Sequence, residues 1–143
     1  TNRNEPPGPI GPPEWILDVL EYASTVTDLN KVTMGLHVYG YSWLRESPPA
    51  TTISWEAAQR LITTYGIEVE RDPADMEARI DFKVQGLPRQ TMVFADSAGI
   101  EYKLNLVLDA FPELGGVAIW GLGGEDPAGW DVLRSARPPN CTL

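Results

Sequence analysis

The stretch Gly115-Gly116-Val117-Ala118-Ile119-Trp120-Gly121-Leu122-Gly123-Gly124-Glu125-Asp126-Pro127 brings an aromatic ring, a Gly-rich turn and two carboxylates together. The apolar run Val117 to Trp120 reads as a strand buried on both faces, as in a parallel sheet covered by helices. Ligands of such sheets sit at the C-terminal ends of the strands, where Trp120 falls. A flat ring left uncovered by glycine neighbours, with Glu125 and Asp126 beside it, suits stacking and hydrogen bonding to a sugar. The competing reading, Trp120 as an ordinary core residue, is equally compatible with the local sequence. Gly121, Gly123 and Gly124 complete no phosphate-binding fingerprint, and the two carboxylates would repel a phosphate. A second cluster, Tyr39-Gly40-Tyr41-Ser42-Trp43, sets three aromatics at the end of another strand. The intervening glycine and serine favour a rim over a core. The lone histidine, His37, has no Ser, Cys or second His at catalytic spacing, so packing in a core or wall is its expected role. No Cys/His cluster has metal-ligand spacing, and neither a metal nor another cofactor is expected.

The elements that must position these residues follow from periodicity. Residues 1–12 carry Pro6, Pro7, Pro9 and Pro12 around Gly8 and Gly11 and read as an extended loop. A helix from Pro13 to about Ser24 buries Trp15, Ile16, Val19, Leu20 and Ala23. Lys31 to Val38 alternates as a strand, and Leu44 to Thr52 reads as loop. Ser54 caps a helix carrying Ala57, Ala58, Leu61 and Ile62, which stops at Gly66. Short runs at Ile67 to Glu70, Ala78 to Val84 and Gln90 to Phe94, joined by tight turns, predict an antiparallel patch. Asp96 or Ser97 caps a helix with the stripe Ile100, Leu104, Val107, Leu108 and Phe111. The strand 117–120 follows, then a helix with Trp130, Val132 and Leu133. Two strands each tied to helices predict β/α units set side by side with an unpaired edge on each side.

With 143 residues and 43% hydrophobic content, the chain suffices for one domain with a core. Its formal net charge of -9 opposes nucleic-acid binding, and no basic patch is visible. No apolar run is long enough to span a membrane. The single Cys141 excludes an internal disulfide, and Asn140-Cys141-Thr142 matches a glycosylation acceptor on a tail. The Pro-rich opening predicts a piece cut from something longer.

Pro7-Gly8-Pro9-Ile10, Trp15-Ile16-Leu17, Lys31-Val32-Thr33-Met34-Gly35-Leu36 and Tyr39-Gly40-Tyr41-Ser42-Trp43 together resemble glycoside hydrolase family 18. The resemblance favours its spore-cortex and cell-wall branch, the YaaH type. Met92-Val93-Phe94-Ala95-Asp96 and Gly116-Val117-Ala118-Ile119-Trp120-Gly121-Leu122-Gly123, ahead of Glu125, Asp126 and Trp130, continue it in order. It implies the α/β fold class, as the C-terminal part of a (β/α)8 TIM barrel with a small α+β insertion subdomain. Residues 1–52 become a barrel segment ending in the seventh strand, 53–95 the insertion, 96–137 the segment with the eighth strand, and 138–143 a tail. It also implies a parent hydrolase of chitin or peptidoglycan glycans containing N-acetylglucosamine, or a carbohydrate-binding relative that has lost its acid, and an extracellular or cell-wall location. A stand-alone interaction domain with an unrelated ligand is the remaining alternative. Trp120 becomes the floor under the sugar. Tyr39, Tyr41 and Trp43 become groove-wall residues, and Glu125 and Asp126 become hydroxyl acceptors or loop-shaping residues. The family's catalytic D-x-x-D-x-D-x-E signature belongs to the fourth strand, so no catalytic residue is expected in this chain; its substrate's own N-acetyl group acts as nucleophile. Asp72, Asp75 and Glu77 mimic that spacing, but Arg79 stands in the glutamate's place and they read as a solvated turn. Ala95 stands where the family usually has a glutamate, which predicts a lost polar contact. Expected partners are the glycan and, across unpaired edges, a second copy or the N-terminal part of the barrel.

Overall fold

The computed structural model describes residues 1–86 and 88–136; the expected tail and the Asn140-Cys141-Thr142 triplet lie outside them. Helix α1 (Pro13–Val26) carries proline in its first turn, where the missing N–H leaves no bond unmade. Its buried residues are Pro13, Ile16 and Leu20. Trp15 and Val19, expected in the core, are exposed instead, and with Tyr22 and Val26 they form a second apolar stripe on the outer side. Periodicity marks both stripes alike and cannot tell which one finds a partner.

A 3-10 turn (Leu29–Lys31) leads into β1 (Thr33–His37). This strand pairs in parallel with β7 (Gly116–Trp120), setting Leu36 against Ile119 and His37 against Trp120. The Val38 N–H donates to the Trp120 carbonyl at 3.1 Å, extending the pairing past the strand end. Helix α3 (Ser97–Ala110) joins α1 on one face of this pair, through a core of Ile16, Leu20, Leu36, Ile100, Leu104 and Val107. Asp96 caps α3, its Oδ1 accepting from the Gly99 N–H at 3.1 Å. Helix α4 (Gly129–Ser135) completes the layer. The expectation that β7 is buried on both faces is corrected. Val117 and Ile119 pack on the helical core, whereas Ala118 and Trp120 are exposed, because the described residues cover only one face of this two-stranded sheet.

A separate five-stranded antiparallel sheet has the order β3-β2-β6-β5-β4. Its members are β2 (Tyr39–Leu44), β3 (Ser47–Ser54), β4 (Glu70–Arg71), β5 (Ala78–Phe82) and β6 (Gln90–Phe94). None of these strands joins the parallel pair. Residues 47–54, within or beside the expected loop, form the edge strand β3, where Pro48 and Pro49 break no central ladder. The turn between β2 and β3 places Arg45 and Glu46 at φ 53° and 59°. That is the hairpin geometry normally signalled by Asn-Gly or Gly-Gly.

Helix α2 (Trp55–Tyr65) packs on this sheet, with Ala58 buried against a cluster that includes Ile80 and Phe94. Gly66 ends it in the left-handed region at φ 63°, and the Ser54 hydroxyl caps its start by accepting from the Ala57 N–H at 3.2 Å. Ser54→Ala is therefore expected to cost about 1 kcal/mol in urea unfolding. An unchanged midpoint and slope would show that the cap contributes nothing.

Candidate functional site

The cleft forms where the two sheets meet. Trp120 ends β7 and is 73% exposed, so within the described residues its ring is open rather than packed in the core. Gly121, at φ 85°, turns the chain immediately after it. A Cβ on Gly121 would stand 2.8 Å from Tyr39 Cδ1, so glycine serves there both the turn and the close approach of the Tyr39 ring. Tyr39 and Tyr41 line one side of a cleft of about 440 Å³, Thr52, Ile53 and Ser54 another, and Trp120 to Gly123 the third. Burial pushes the Tyr39 phenol up to about 12, with the neighbouring Tyr41 and Glu77 acting in the same direction.

His37, Tyr39, Tyr41 and Trp43 run as one row of edge-to-face rings, with centroids 5.5, 5.5 and 5.8 Å apart. Only the middle of this row reaches the cleft. Trp43, expected on the groove wall, is fully buried with Ala50 and Val93. Its Nε1 donates to the Glu5 carbonyl at 2.8 Å, so the N-terminal loop covers the ring. The Ala50 N–H, bonded to the Arg3 carbonyl at 2.7 Å, fastens that loop to the sheet.

The two carboxylates after Trp120 shape the loop and do not line the cleft. Glu125 Oε2 accepts from the Gly123 N–H at 2.7 Å, and Oε1 from Trp130 Nε1 at 3.3 Å. Hydrogen bonds from its own backbone N–H and from that of Gly123 hold the Glu125 carboxyl below its ordinary range, the wrong direction for a general acid. Asp126 is buried, and of its two expected roles, hydroxyl acceptor or loop-shaping residue, its hydrogen bonds agree with the second. Its Oδ2 accepts from the Ser97 N–H at 2.8 Å and its Oδ1 from the Ala128 N–H at 3.1 Å, so it braces the start of α3. Among the described residues, no group of three or more His, Cys, Asp or Glu side chains could hold a metal ion.

The acidic triplet is also corrected. Asp72 is exposed, but Glu77 is 2% exposed and accepts from the Ile10 N–H at 2.8 Å and the Gly11 N–H at 3.0 Å. Lys103, equally buried, forms an ion pair with its Oε1. Burial alone would push the Glu77 carboxyl up; the adjacent His37 ring and Lys103 charge outweigh it and hold the group far below its ordinary range. A folded-state carboxyl that ionises more readily than the unfolded one stabilises the fold fully above the ordinary value of 4.5. That contribution declines as the pH falls below it toward the folded-state value. Thermal unfolding followed from pH 7 to pH 3 should show this acid-side loss, and Glu77→Gln should flatten it; identical profiles would contradict the assignment.

No family model matches the chain. Over 129 residues it is 30% identical to the cortical fragment-lytic enzymes of Bacillus anthracis and of Bacillus subtilis (strain 168), with 87% of this chain covered. Its backbone superimposes on the crystal structure of the spore cortex-lytic enzyme SleL from Bacillus cereus with a TM-score of 0.83, at 26% identity and over 94% of this chain. A chitinase from Chromobacterium violaceum ATCC 12472 gives a TM-score of 0.82, at 26% identity and over 95% of this chain. The chain is a glycoside hydrolase family 18 homologue. It corresponds to a C-terminal part of these proteins: it spans 29% of the length of the curated relatives, 31% of the SleL chain and 42% of the chitinase. As a family 18 homologue it carries mixed α/β structure and matches a portion of chitinase-like TIM barrels. Among its described residues, no helix is long and apolar enough to cross a membrane.

Proposed function

We propose that this chain forms one wall and part of the floor of a glycan-binding groove for N-acetylglucosamine-containing polymers, chitin or peptidoglycan. In this reading β1 and β7 are the seventh and eighth strands of a barrel. The antiparallel sheet with α2 is an insertion between them, beginning at Tyr39, earlier than residue 53. The outer stripe of α1 and the free edges of the parallel pair receive the other β/α units of the barrel. The proton donor for glycosidic cleavage stands on one of those units, and the working location is extracellular or in the cell wall.

One observation carries the reading: an exposed indole at the C-terminal end of a parallel strand, opening onto a cleft lined by Tyr39 and Tyr41. The apolar face of a pyranose stacks on such a ring, and the Tyr39 hydroxyl and the backbone around Gly121 to Gly123 supply polar partners at its edge. Calorimetric titration of the chain with N-acetylglucosamine tetramer and with cellotetraose tests it. Saturable binding of the first, tighter than of the second, with no hydrolysis of either, is the expected result. Absence of binding at millimolar ligand would overturn the groove, and equal affinity would overturn the N-acetyl preference. Hydrolysis of the tetramer by the purified chain would overturn the assignment of the proton donor to another unit.

A further inference from the structure

Behind the cleft lies a buried assembly of His37, Glu77 and Lys103, contributed by the end of β1, the residue before β5, and α3. Side-chain exposure is 12% for His37, 1% for Glu77 and 4% for Lys103. An ion pair this deep is a weak source of net stability, since apolar residues of similar volume often do as well. What it supplies that apolar packing lacks is direction. Its carboxylate oxygens fix two backbone N–H groups and an ammonium at set angles, and satisfied networks of this kind rigidify their surroundings.

His37 connects this rigid centre to the cleft. Its Nε2 lies 3.3 Å from Glu77 Oε1, yet it is buried without a well-aligned hydrogen bond. Its Cε1 and Nδ1 face Gly11, where a Cβ would come within 3.1 and 3.2 Å. On another side the imidazole meets the Tyr39 ring edge-on, 5.5 Å between centroids at 63°. Tyr39 in turn packs on Gly121, the residue that follows Trp120. The contacts therefore run without a gap from Glu77 through His37 and Tyr39 to the turn that holds the exposed indole.

We propose that His37 is a positioning residue for the cleft: its imidazole carries the fixed orientation of the Glu77–Lys103 pair to the Tyr39 ring, and through it to Gly121 and Trp120. This rests on the glycan-binding reading of the cleft. His37 touches no ligand itself; it sets the angle of the wall that does.

Three variants separate orientation from bulk. His37→Ala removes the ring, His37→Leu keeps volume without nitrogen, and His37→Gln keeps a polar N–H facing Glu77 as Nε2 does at 3.3 Å. The readouts are affinity for N-acetylglucosamine tetramer, and the NMR resonance of the Trp120 indole N–H in the free protein, because the Tyr39 ring would shift on loss of the adjacent imidazole in every variant. Assignment uses Trp120→Phe. His37→Ala and His37→Leu should shift that resonance and weaken binding about three- to tenfold, the scale of losing the order of one immobilised side chain. His37→Gln should restore the indole resonance and affinity, whatever it does to Tm. An unmoved indole resonance in His37→Ala, or His37→Gln behaving as His37→Leu does, would overturn the proposal. A wild-type chain that fails to bind the tetramer would overturn the glycan reading alone, and the indole resonance of the free variants would still decide the role of His37.

Discussion

Replacing Trp120 with alanine is expected to weaken binding of N-acetylglucosamine oligomers about thirtyfold, the roughly 2 kcal/mol typical of a central tryptophan contact. Stability should hardly change, because a ring 73% exposed at a strand end has little folded-state packing to lose. That separation of affinity from stability distinguishes a ligand platform from a core residue. Trp15→Ala is the control. Its ring is 62% exposed on the outer stripe of α1, so loss of an exposed tryptophan as such is matched. It should leave affinity unchanged. Glu125→Gln should also have little effect on affinity, since both carboxylate oxygens are engaged with Gly123 and Trp130. Equal losses in Trp120→Ala and Trp15→Ala would remove the cleft from the account.

Lys103→Met should have the opposite signature, a large loss of stability. The substitution fits the helix and nearly conserves volume, but it leaves the Glu77 carboxylate buried without its cation. Breaking one side of a buried pair costs about 3–5 kcal/mol. Against a total of roughly 5–15 kcal/mol for a domain, that is a major fraction. A fall in Tm on the order of 10 °C is expected in a scanning experiment. The double variant Lys103→Met with Glu77→Gln should recover part of it, because the remaining amide is neutral and one oxygen can still accept from Ile10 or Gly11. A double variant less stable than Lys103→Met would show that the carboxylate is worth more through the two backbone N–H groups than the unpaired charge costs.

Local rules carried far where the interactions are local. Ser54, Gly66 and Asp96 announce the ends of α2 and α3 by their own chemistry, and all three act there. The alternation of Thr33 to His37 and the apolar run 117–120 locate both parallel strands. The β2–β3 hairpin was illegible because Arg45 and Glu46 occupy the left-handed region without glycine or asparagine, and because prolines disguised an edge strand. Burial was hardest to read. Trp43 is covered by Glu5 and its loop, from 38 residues upstream, and nothing in the aromatic cluster itself foretells that. Glu77 looks like part of a solvated turn until the Gly11 N–H, 66 residues away in sequence, and Lys103, 26 residues away, converge on it. The converse holds for Trp15 and Val19. Their helical spacing predicted a buried face, and among the described residues nothing covers it.

The central claim is that the cleft between Trp120 and the Tyr39–Tyr41 row binds the glycan. Amide and indole chemical-shift mapping during titration with N-acetylglucosamine tetramer tests it most directly. The account predicts a saturable shift of the Trp120 indole N–H together with the amides of Tyr39, Tyr41, Thr52 to Ser54 and Gly121 to Gly123. Shifts confined to a separate apolar pocket between β7, α3 and α4, lined by Leu108, Val117, Trp130 and Leu133, with the Trp120 indole unmoved at saturation, would contradict it.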